Sequence, residues 1–311
     1  MTRRIGIDLG GTKIEAVVVD VDDAGALSIA SRRRIPTSAD EGYEAIVARL
    51  AGLVREAVRE AGLDLATAPI GCGMPGNFTR RTALVKNSNT VCLNGRPLRA
   101  DLERALGRAV AFDNDANCFA LAETRLGAAR AWQGGLVFGV IMGTGVGGGI
   151  VHRGEVWSGA QGIAGEWGHH AVFEGRRACY CGHTGCLERW ASGPAVEGDY
   201  AERSGQRLPL AEIAARRATD AHAAAAIESL IEAFGRGLAN LIDVLDPSAV
   251  VLGGGLSNLA LLYDEGRARV AKYVFNDELL TPIVPPALGD SAGVLGAALL
   301  EPHACLSGVV E

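Results

Sequence analysis

Short apolar runs that end in glycines recur in both halves of the chain. Arg4–Asp8 and Ala16–Asp20 flank Gly10–Gly11 and predict two strands joined by a glycine turn. The pattern returns at Leu136–Met142, where a strand-like run is followed by the glycine loop Gly143–Gly149 and a second apolar run. This weak internal repeat indicates two related lobes that face each other.

Longer segments with helical spacing separate these runs. Apolar residues in Tyr43–Ala61 and in Ala223–Leu245 fall on one helical face and predict amphipathic helices. Asp246–Pro247 ends the second helix, because a residue before proline resists the helical conformation. A buried strand, Ala249–Leu252, follows and leads into Gly253–Gly255. Strands that alternate with helices predict an α/β fold.

Composition narrows the class of protein. The chain has 311 residues, 48% of them apolar, and its length favours two lobes over one. A net charge of −6 disfavours nucleic-acid binding, and the basic run Arg32–Arg34 is interpreted as solvated surface. No segment is typical of a membrane span or a signal peptide. Seven cysteines without an export signal favour reduced thiols and a cytoplasmic protein.

The first glycine turn carries residues suited to phosphate binding. Gly10 and Gly11 lack Cβ atoms and let backbone N–H groups approach phosphate oxygens, while Thr12 adds a hydroxyl and Lys13 a positive charge. Asp8, at the end of the strand, is a candidate to hold Mg²⁺ through water. A plain hairpin turn with a surface lysine is the alternative.

Two further glycine clusters favour phosphate binding over a plain hairpin turn. Gly143, Thr144 and Gly145 begin a second loop that, with the first, would clamp a polyphosphate from both lobes. Neither loop has the Gly-Lys-Ser/Thr ending of a Walker P-loop, nor the following helix of a dinucleotide fingerprint. The third cluster follows a strand and suits close approach to a nucleoside: Gly253, Gly254 and Gly255.

A polar cluster after a strand-like segment is a candidate catalytic site. Asp113, Asn114 and Asp115 follow Ala109–Phe112, and a carboxylate there could accept a proton from a hydroxyl group during phosphoryl transfer. These residue types also cap helices, and Ala116–Glu123 could be helical. Both roles can coexist, with one residue capping and another acting.

Cysteine and histidine spacing predicts a zinc site. Cys179, Cys181 and Cys186 lie within eight residues, and His169 would complete a closed tetrahedral Cys₃His set. His183 competes as the fourth ligand by proximity. The alternatives are a disulfide with a spare thiol or unrelated free thiols.

The ordered motifs DLGGTK, NDANCFALAE, GTGVGGG, VVLGGGLS and GDSAGVLGAAL resemble the actin-like sugar-kinase ATPases, and among these the ROK family, from Ile5 to about Leu300. The ExGH and CxCGxxGCxE segments match the signature of that family. The resemblance implies that Asp115 is the catalytic base and that His169, Cys179, Cys181 and Cys186 bind zinc. It also implies a set of sugar-contacting residues: Gly76, Asn89, Asn114, Asp115, Glu166, His169 and Glu188.

The resemblance further implies two actin-like (ribonuclease-H-like) α/β lobes with an active-site cleft between them. We expect an N-terminal lobe over residues 1–118, with a C-terminal helix at about 290–311 packing back on it. Residues 119–289 would form a larger lobe that carries the zinc motif. A homodimer is common in the family and is expected here.

The expected activity is ATP-dependent phosphorylation of a hexose at its 6-hydroxyl, with Mg²⁺ accompanying ATP and zinc serving a structural role. Segments such as LVKNSNTVCLNGRPL resemble bacterial fructokinases, so fructose is the expected substrate and N-acetylated sugars are expected to be poor. Glucokinase and N-acetylhexosamine kinase are the alternatives.

A non-catalytic sugar-sensing regulator is disfavoured because Asp115 and both phosphate loops are intact, and because seven residues before Asp8 leave no room for a DNA-binding domain. Neither nucleic acid nor membrane is expected as a partner.

Overall fold

The computed structural model describes residues 2–22 and 25–301, and these divide into two compact units. Unit 1 comprises the described residues through Leu126, the segment Gly159–Gly162 and the described residues from Leu288 onward. Unit 2 comprises Gly127–Ser158 and Ile163–Ala287. The division lies eight residues beyond the predicted boundary after residue 118, because the helix that contains residue 118 stays whole within unit 1.

The strands in chain order are β1 (Thr2–Leu9), β2 (Lys13–Val21), β3 (Leu27–Pro36), β4 (Ile70–Met74), β5 (Asn77–Phe78), β6 (Val85–Lys86), β7 (Ala111–Asn114), β8 (Leu136–Met142), β9 (Val146–His152), β10 (Glu155–Val156), β11 (Ala249–Gly253) and β12 (Ile283–Val284). The α-helices are α1 (Tyr43–Glu60), α2 (Leu98–Leu106), α3 (Asp115–Arg125), α4 (Glu188–Ala191), α5 (Gly193–Ser204), α6 (Leu210–Arg216), α7 (Ala221–Leu245), α8 (Glu265–Tyr273) and α9 (Ala292–Leu299). Within the described part of the chain, none of these helices combines the length and apolar character needed to cross a bilayer.

Each unit contains a five-stranded mixed sheet with the same layout. In unit 1 the order is β3-β2-β1-β4-β7, where β3, β2 and β1 are antiparallel and β4 and β7 run parallel to β1. In unit 2 the order is β10-β9-β8-β11-β12, again with three antiparallel strands followed by two parallel ones. The matching sheets account for the internal repeat in the sequence.

The two longest helices bury the faces that the sequence predicts, each in the core of its own unit. In α1, Ile46, Leu50 and Val54 are fully buried in the core of unit 1. Helix α7 begins two residues earlier than predicted, because the side chain of Asp220 accepts hydrogen bonds from the N–H groups of His222 and Ala223. It ends where predicted, at the left-handed Asp246.

Helix α9 packs on the sheet of unit 1 and on α3. Glycines permit this: a Cβ on Gly6 would lie 2.2 Å from the carbonyl oxygen of Val294, and one on Gly296 would lie 1.8 Å from that of Cys118. Among the described residues the helix spans Ala292–Leu299 and not the whole predicted stretch from 290, since Gly289–Ser291 form a 3₁₀ turn and Leu300 is extended. Residues 302–311 of that prediction lie outside the described residues.

The basic run Arg32–Arg34 is exposed, as the sequence suggested, but two of its side chains also pair with a buried carboxylate. Arg32 and Arg34 lie on β3 and both form 2.6 Å ion pairs with Glu15 of the neighbouring β2, whose side chain is fully buried. Burying this carboxylate without partners would be costly, so the two arginines stabilise the sheet behind the first glycine turn.

Candidate functional site

The first glycine loop, Gly10–Thr12, joins β1 to β2 and is held at both ends. The N–H of Gly10 donates to the carbonyl oxygen of Lys13 at 2.9 Å. Buried Thr37 donates its hydroxyl to the carbonyl of Gly10 at 2.7 Å and its N–H to that of Thr12 at 3.0 Å. Gly11 and Thr12 are exposed. The result is a fixed loop whose tip is open to a ligand.

Asp8 lies directly before this loop, beside the start of α9. A Cβ on Gly293 would sit 3.3 Å from its carboxylate, a tight contact to which the carboxylate would have to yield by a few tenths of an ångström. Burial, followed by the negative charges of Asp115 and Glu15, raises the pKa of Asp8 from 3.8 to about 7, against the opposing effects of Lys13 and Arg34. Asp8 and Asp115 therefore belong to one electrostatically coupled group.

The polar cluster at the end of β7 both caps a helix and places a carboxylate. Asn114 is the N-cap of α3, and its side-chain oxygen accepts from the N–H of Ala116 at 2.9 Å. Asp113 is buried and accepts from the side-chain amide of Asn117 at 2.6 Å and from the N–H of Asn114 at 2.8 Å. Asp115, the first residue of α3, is partly exposed. The capping role suggested by the sequence thus falls on Asn114, and Asp113 has a structural role.

Gly76 and Asn114 are in direct contact, whereas Asn89 lies on a separate loop. The side-chain nitrogen of Asn114 donates to the carbonyl of Gly76 at 3.0 Å. Gly76 has φ +82°, and a Cβ there would lie 2.4 Å from the carbonyl of Lys86. Asn89 is exposed. Its loop is held by Asn94, whose side chain bonds both the N–H and the carbonyl of Ser88.

In unit 2 the second glycine loop is shorter than the predicted Gly143–Gly149, because Gly147–Gly149 belong to β9. The remaining loop, Gly143–Gly145, joins β8 to β9 and contacts Glu188. The carboxylate of Glu188 accepts from the N–H of Val146 at 2.9 Å, and a Cβ on Gly145 would lie 2.8 Å from the same oxygen. The carbonyl of Gly143 accepts from the N–H of Gly193 at 2.8 Å. A predicted sugar-contacting residue is therefore bonded to a predicted phosphate loop.

The third glycine cluster, Gly253–Gly255, lies at the end of β11 beside the end of β8. Gly254 has φ +77°, and a Cβ there would lie 2.3 Å from the carbonyl of Met142. Its own carbonyl accepts from the hydroxyl of Ser257 at 2.7 Å. Close backbone packing next to the second glycine loop thus requires glycine at position 254.

The segment from Gly165 to His169 lies along β9 and fixes the positions of Glu166 and His169. Trp167 donates its indole N–H to the carbonyl of Gly147 at 2.8 Å. A Cβ on Gly168 would lie 2.1 Å from the carbonyl of Val146, and one on Gly165 would lie 2.3 Å from that of Gly148. The glycines of the segment are therefore required by its contact with the strand.

The predicted zinc ligands converge. The ligand atoms of His169, Cys179, Cys181 and Cys186 all lie within 4.8 Å of one another, and the cysteines are free thiols. The sulfurs of Cys181 and Cys186 are 3.6 Å apart, too far for a disulfide. His183, the competing ligand in the sequence, lies outside this group of four. The spacing of the set suits a tetrahedral metal ion.

His169 has a neighbour that the sequence did not identify. Its Nδ1 lies 3.7 Å from the sulfur of Cys179, within the ligand group, and its Nε2 lies 3.0 Å from the hydroxyl oxygen of Tyr180. The resemblance places His169 among the sugar-contacting residues, and in this structure its second ring nitrogen contacts a phenol. Glu166, the acidic residue of the same segment, is exposed.

The predicted site residues fall into two sets, one in each unit. Unit 1 holds Asp8, Gly10, Gly11, Thr12, Lys13, Gly76, Asn89, Asn114 and Asp115, and unit 2 holds Gly143, Thr144, Gly145, Glu166, His169, Cys179, Cys181, Cys186, Glu188, Gly253, Gly254 and Gly255. Sequence reasoning missed Thr37, Asn94 and Tyr180. The sequence did contain a signal for Tyr180, because this residue lies between the predicted zinc ligands Cys179 and Cys181.

Comparison with known proteins gives consistent matches over nearly the whole chain. A sequence model described as the ROK family matches residues 4–304. The N-acetyl-D-glucosamine kinase of Photobacterium profundum is 39% identical over 312 residues, covering 95% of this chain and 98% of the relative. The ROK hexokinase from Thermus thermophilus superposes with a TM-score of 0.85 at 36% identity, over 96% of this chain and 97% of that one.

A ROK family glucokinase from Streptomyces griseus, solved with glucose and AMPPNP, gives a TM-score of 0.76 at 30% identity, over 95% of this chain and 98% of that one. These structures confirm the predicted actin-like α/β fold class. The expected fructokinase type gains no support from these relatives, since they are kinases of N-acetylglucosamine, hexose or glucose.

Proposed function

This chain belongs to the ROK family of sugar kinases, and from that premise we propose that it transfers the γ-phosphate of ATP to the 6-hydroxyl of N-acetyl-D-glucosamine. The main support for this choice of substrate is the 39% identity, over 95% of the chain, to an N-acetyl-D-glucosamine kinase. The expectation of fructose rested on a few short segments. We therefore choose N-acetylhexosamine kinase, one of the alternatives from the sequence, over fructokinase.

Asp115 is the proposed catalytic base. A carboxylate at the start of α3, partly exposed and electrostatically coupled to the half-buried Asp8, can accept the proton of a sugar hydroxyl as the new bond to phosphorus forms. The neighbouring Asn114 is fixed by its bonds to Ala116 and Gly76, and its side-chain nitrogen carries a second hydrogen. That hydrogen would orient the sugar next to Asp115.

Sugar contacts in unit 2 are assigned to Glu166, His169 and Glu188. Glu188 is held by Val146 through one carboxylate oxygen, which leaves the other for sugar hydroxyls. Glu166 is exposed and can accept hydroxyl hydrogen bonds. His169 would reach the sugar after its Nε2 leaves Tyr180.

Phosphate binding is assigned to the glycine loops, and Asp8 fits a role in holding magnesium. Gly11, Thr12 and Thr144 are exposed at loop tips whose backbones are fixed by hydrogen bonds. Burial, followed by the negative charges of Asp115 and Glu15, raises the pKa of Asp8 to about 7, and a divalent cation beside it would favour its charged form. Magnesium, when bound with ATP, supplies positive charge to the phosphate oxygens.

The four converging side chains fit a structural zinc ion. Three thiols and one imidazole within 4.8 Å of one another are the donor set that zinc prefers. Four protein ligands leave no open position for substrate, so the role of the ion would be to fix His169 and the chain that leads to Glu188. Its binding would contribute to folding.

The substrate is tested by a coupled assay of ADP formation with N-acetylglucosamine, glucose, mannose, fructose and N-acetylmannosamine. The expected result is the highest kcat/KM for N-acetylglucosamine, with turnover dependent on ATP and magnesium. The Asp115→Asn variant is the control for contaminating kinases. A higher kcat/KM for any other sugar in the panel would contradict the substrate assignment and leave the kinase assignment standing.

Glucose is the second candidate, because the structurally similar relatives include a hexokinase and a glucokinase. The same panel decides between the two sugars, since they differ only in the acetamido group at carbon 2. The expected homodimer remains a prediction, which sedimentation of the purified chain would test.

A further inference from the structure

A surface cavity in unit 2 lies apart from the residues assigned to sugar and ATP. Its volume is about 320 Å³, at the lower end of the range for small-ligand sites. Two aromatic and three arginine side chains form most of its wall, together with three residues from α7: Phe173, Trp190, Arg176, Arg177, Arg203, Glu228, Ser229 and Glu232.

Positive charge is in excess around this cavity, although the chain as a whole has a net charge of −6. Asp199 is buried and pairs with both Arg177 and Arg203. Arg269 pairs with Glu228 and Glu232. Counting the lining and its ion-pair partners, guanidinium groups outnumber carboxylates by five to three: Arg176, Arg177, Arg203, Arg236 and Arg269 against Asp199, Glu228 and Glu232.

Arg176 is the cation of the lining that is available to a ligand. It is exposed and makes no ion pair or hydrogen bond with another described residue. The carboxylates of the cavity are already neutralised by Arg269 and, at Glu232, also by Arg236. A bound anion would therefore meet Arg176 without competition from an unpaired carboxylate.

Trp190 supplies a second, independent indication of a ligand. Its side chain is 93% buried, since 7% is exposed, and its indole N–H is buried without a hydrogen-bond acceptor among the described residues. A buried tryptophan N–H usually has a partner, and leaving it unpaired is costly. Phe173 packs edge-on against the ring with 4.6 Å between centroids, and the guanidinium of Arg177 lies 3.8 Å over it. The cavity thus presents an unused donor next to flat apolar surface.

The chemistry of these groups selects a phosphorylated sugar. Guanidinium groups bind phosphate oxygens, aromatic faces contact the carbon face of a sugar ring, and Ser229 and Glu228 can bond sugar hydroxyls. We propose that this cavity is a regulatory site for a sugar monophosphate of the class that the enzyme itself produces. The regulatory part of this inference rests on the proposed kinase function, whereas the binding part does not.

The cavity wall is connected by the chain to the sugar site. Trp190 belongs to the same short helix as Glu188, two residues away. The carbonyl of Arg177 accepts from the N–H of Gly185 at 3.1 Å, immediately before the predicted zinc ligand Cys186. A ligand that moves Trp190 or Arg177 would thus shift Glu188 and the cysteine cluster, and the expected effect is inhibition that excess sugar does not relieve.

Binding is tested by calorimetric titration of N-acetylglucosamine 6-phosphate into protein saturated with N-acetylglucosamine and AMPPNP, so that the active site is occupied. Wild type should bind about one equivalent. Arg176→Glu should weaken binding by about tenfold or more, because a charge-assisted contact becomes a repulsion. Arg207→Glu, the same charge change at an exposed site outside the cavity, should bind like wild type.

Further arms identify the ligand and protect the test against misfolding. Inorganic phosphate should bind more weakly than the sugar phosphate and show the same dependence on Arg176; equal affinities would contradict the sugar part of the proposal. Trp190→Phe keeps an aromatic ring and removes the N–H, so it should weaken binding of the sugar phosphate. If the Trp190→Phe variant does not fold, the result for Arg176→Glu decides whether the site exists. No binding to wild type, or equal binding by Arg176→Glu and Arg207→Glu, would overturn the site.

Kinetics separate this inference from the proposed function. In wild type, inhibition by the sugar phosphate should persist at saturating sugar. In Arg176→Glu, saturating sugar should relieve the inhibition, and activity without the sugar phosphate should be unchanged. The regulatory role would be contradicted if saturating sugar fully relieved the inhibition of wild type. Because the calorimetry needs no turnover, a failure of the kinase assignment would still leave binding measurable.

Discussion

The carboxylate of Glu188 accepts a hydrogen bond from the backbone N–H of Val146, 2.9 Å away, at the point where the second glycine loop enters β9. One side chain proposed to contact the sugar therefore also fixes a loop proposed to contact ATP. This bond gives a physical route by which sugar and nucleotide binding within unit 2 can depend on each other.

Glu188→Ala should raise the KM for both sugar and ATP, each by about tenfold or more, because the N–H of Val146 loses its acceptor at a cost of about 1–3 kcal/mol. Steady-state kinetics with each substrate varied in turn would measure this. Gly145→Ala should reproduce the effect, since its Cβ would displace the same carboxylate. Glu174→Ala, at an exposed position, is the control. An unchanged KM for ATP in Glu188→Ala would contradict the coupling.

Asp115→Asn should lower kcat by about 10²–10⁴-fold and leave the melting temperature nearly unchanged, because it removes a base and keeps the shape of the side chain. Asp113→Ala, in contrast, should destabilise the protein. Its free energy of unfolding should fall by about 1–3 kcal/mol, since Asn117 and the N–H of Asn114 lose their acceptor. Turnover and thermal melting of both variants make the comparison. Near-normal turnover of Asp115→Asn would remove it from the mechanism.

Asp8→Asn should stabilise the ligand-free protein at pH 8 while lowering kinase activity. The folded state holds the proton of Asp8 up to a pKa of about 7 and the unfolded state releases it near 3.8, so wild-type stability falls as pH rises between these values. The variant lacks this slope, and at pH 8 its free energy of unfolding should exceed that of wild type by on the order of 2–4 kcal/mol. Urea unfolding between pH 4 and pH 8.5 measures the difference; parallel curves would contradict the burial of this charge.

Cys181→Ser should remove bound zinc and lower the melting temperature, because the metal contributes to folding. Elemental analysis should find about one zinc per wild-type chain and much less in the variant. Its KM for sugar should rise more than its KM for ATP, since His169 is one of the four ligands and Glu188 lies two residues after Cys186. His183→Ala, outside the four ligands, should keep its zinc. Active wild-type protein without zinc would contradict the structural role.

The sequence predicted elements whose evidence is local. Leu136–Met142 is a strand with the predicted bounds, and the glycine loops and the convergence of His169 with three cysteines follow from spacing and resemblance. It could not show the distant partners of a residue. Arg32–Arg34 are exposed, as interpreted, but Arg32 and Arg34 also pair with Glu15 across a strand pairing that the pattern does not show. Thr37 and Asn94 hold loops through contacts that no local sequence pattern reveals.

Sugar specificity was also beyond the local pattern. Asn114, Asp115, Glu166, His169 and Glu188 match sugar-contacting positions of the family whichever hexose is bound, so short segments outside these positions led to fructose. Whole-chain similarity changed the assignment to N-acetylglucosamine. Discrimination between sugars depends on small differences in transition-state binding, which residue types alone do not specify.

The most direct test of the account is a competition experiment, in which the enzyme receives equal concentrations of N-acetylglucosamine, glucose, mannose and fructose with limiting ATP. The composition of the products then gives the ratios of kcat/KM without separate rate measurements. The account predicts that N-acetylglucosamine phosphorylated at its 6-hydroxyl, identified by NMR, is the main product. A mixture dominated by a phosphate of fructose, glucose or mannose, or by phosphate on another hydroxyl, would contradict it.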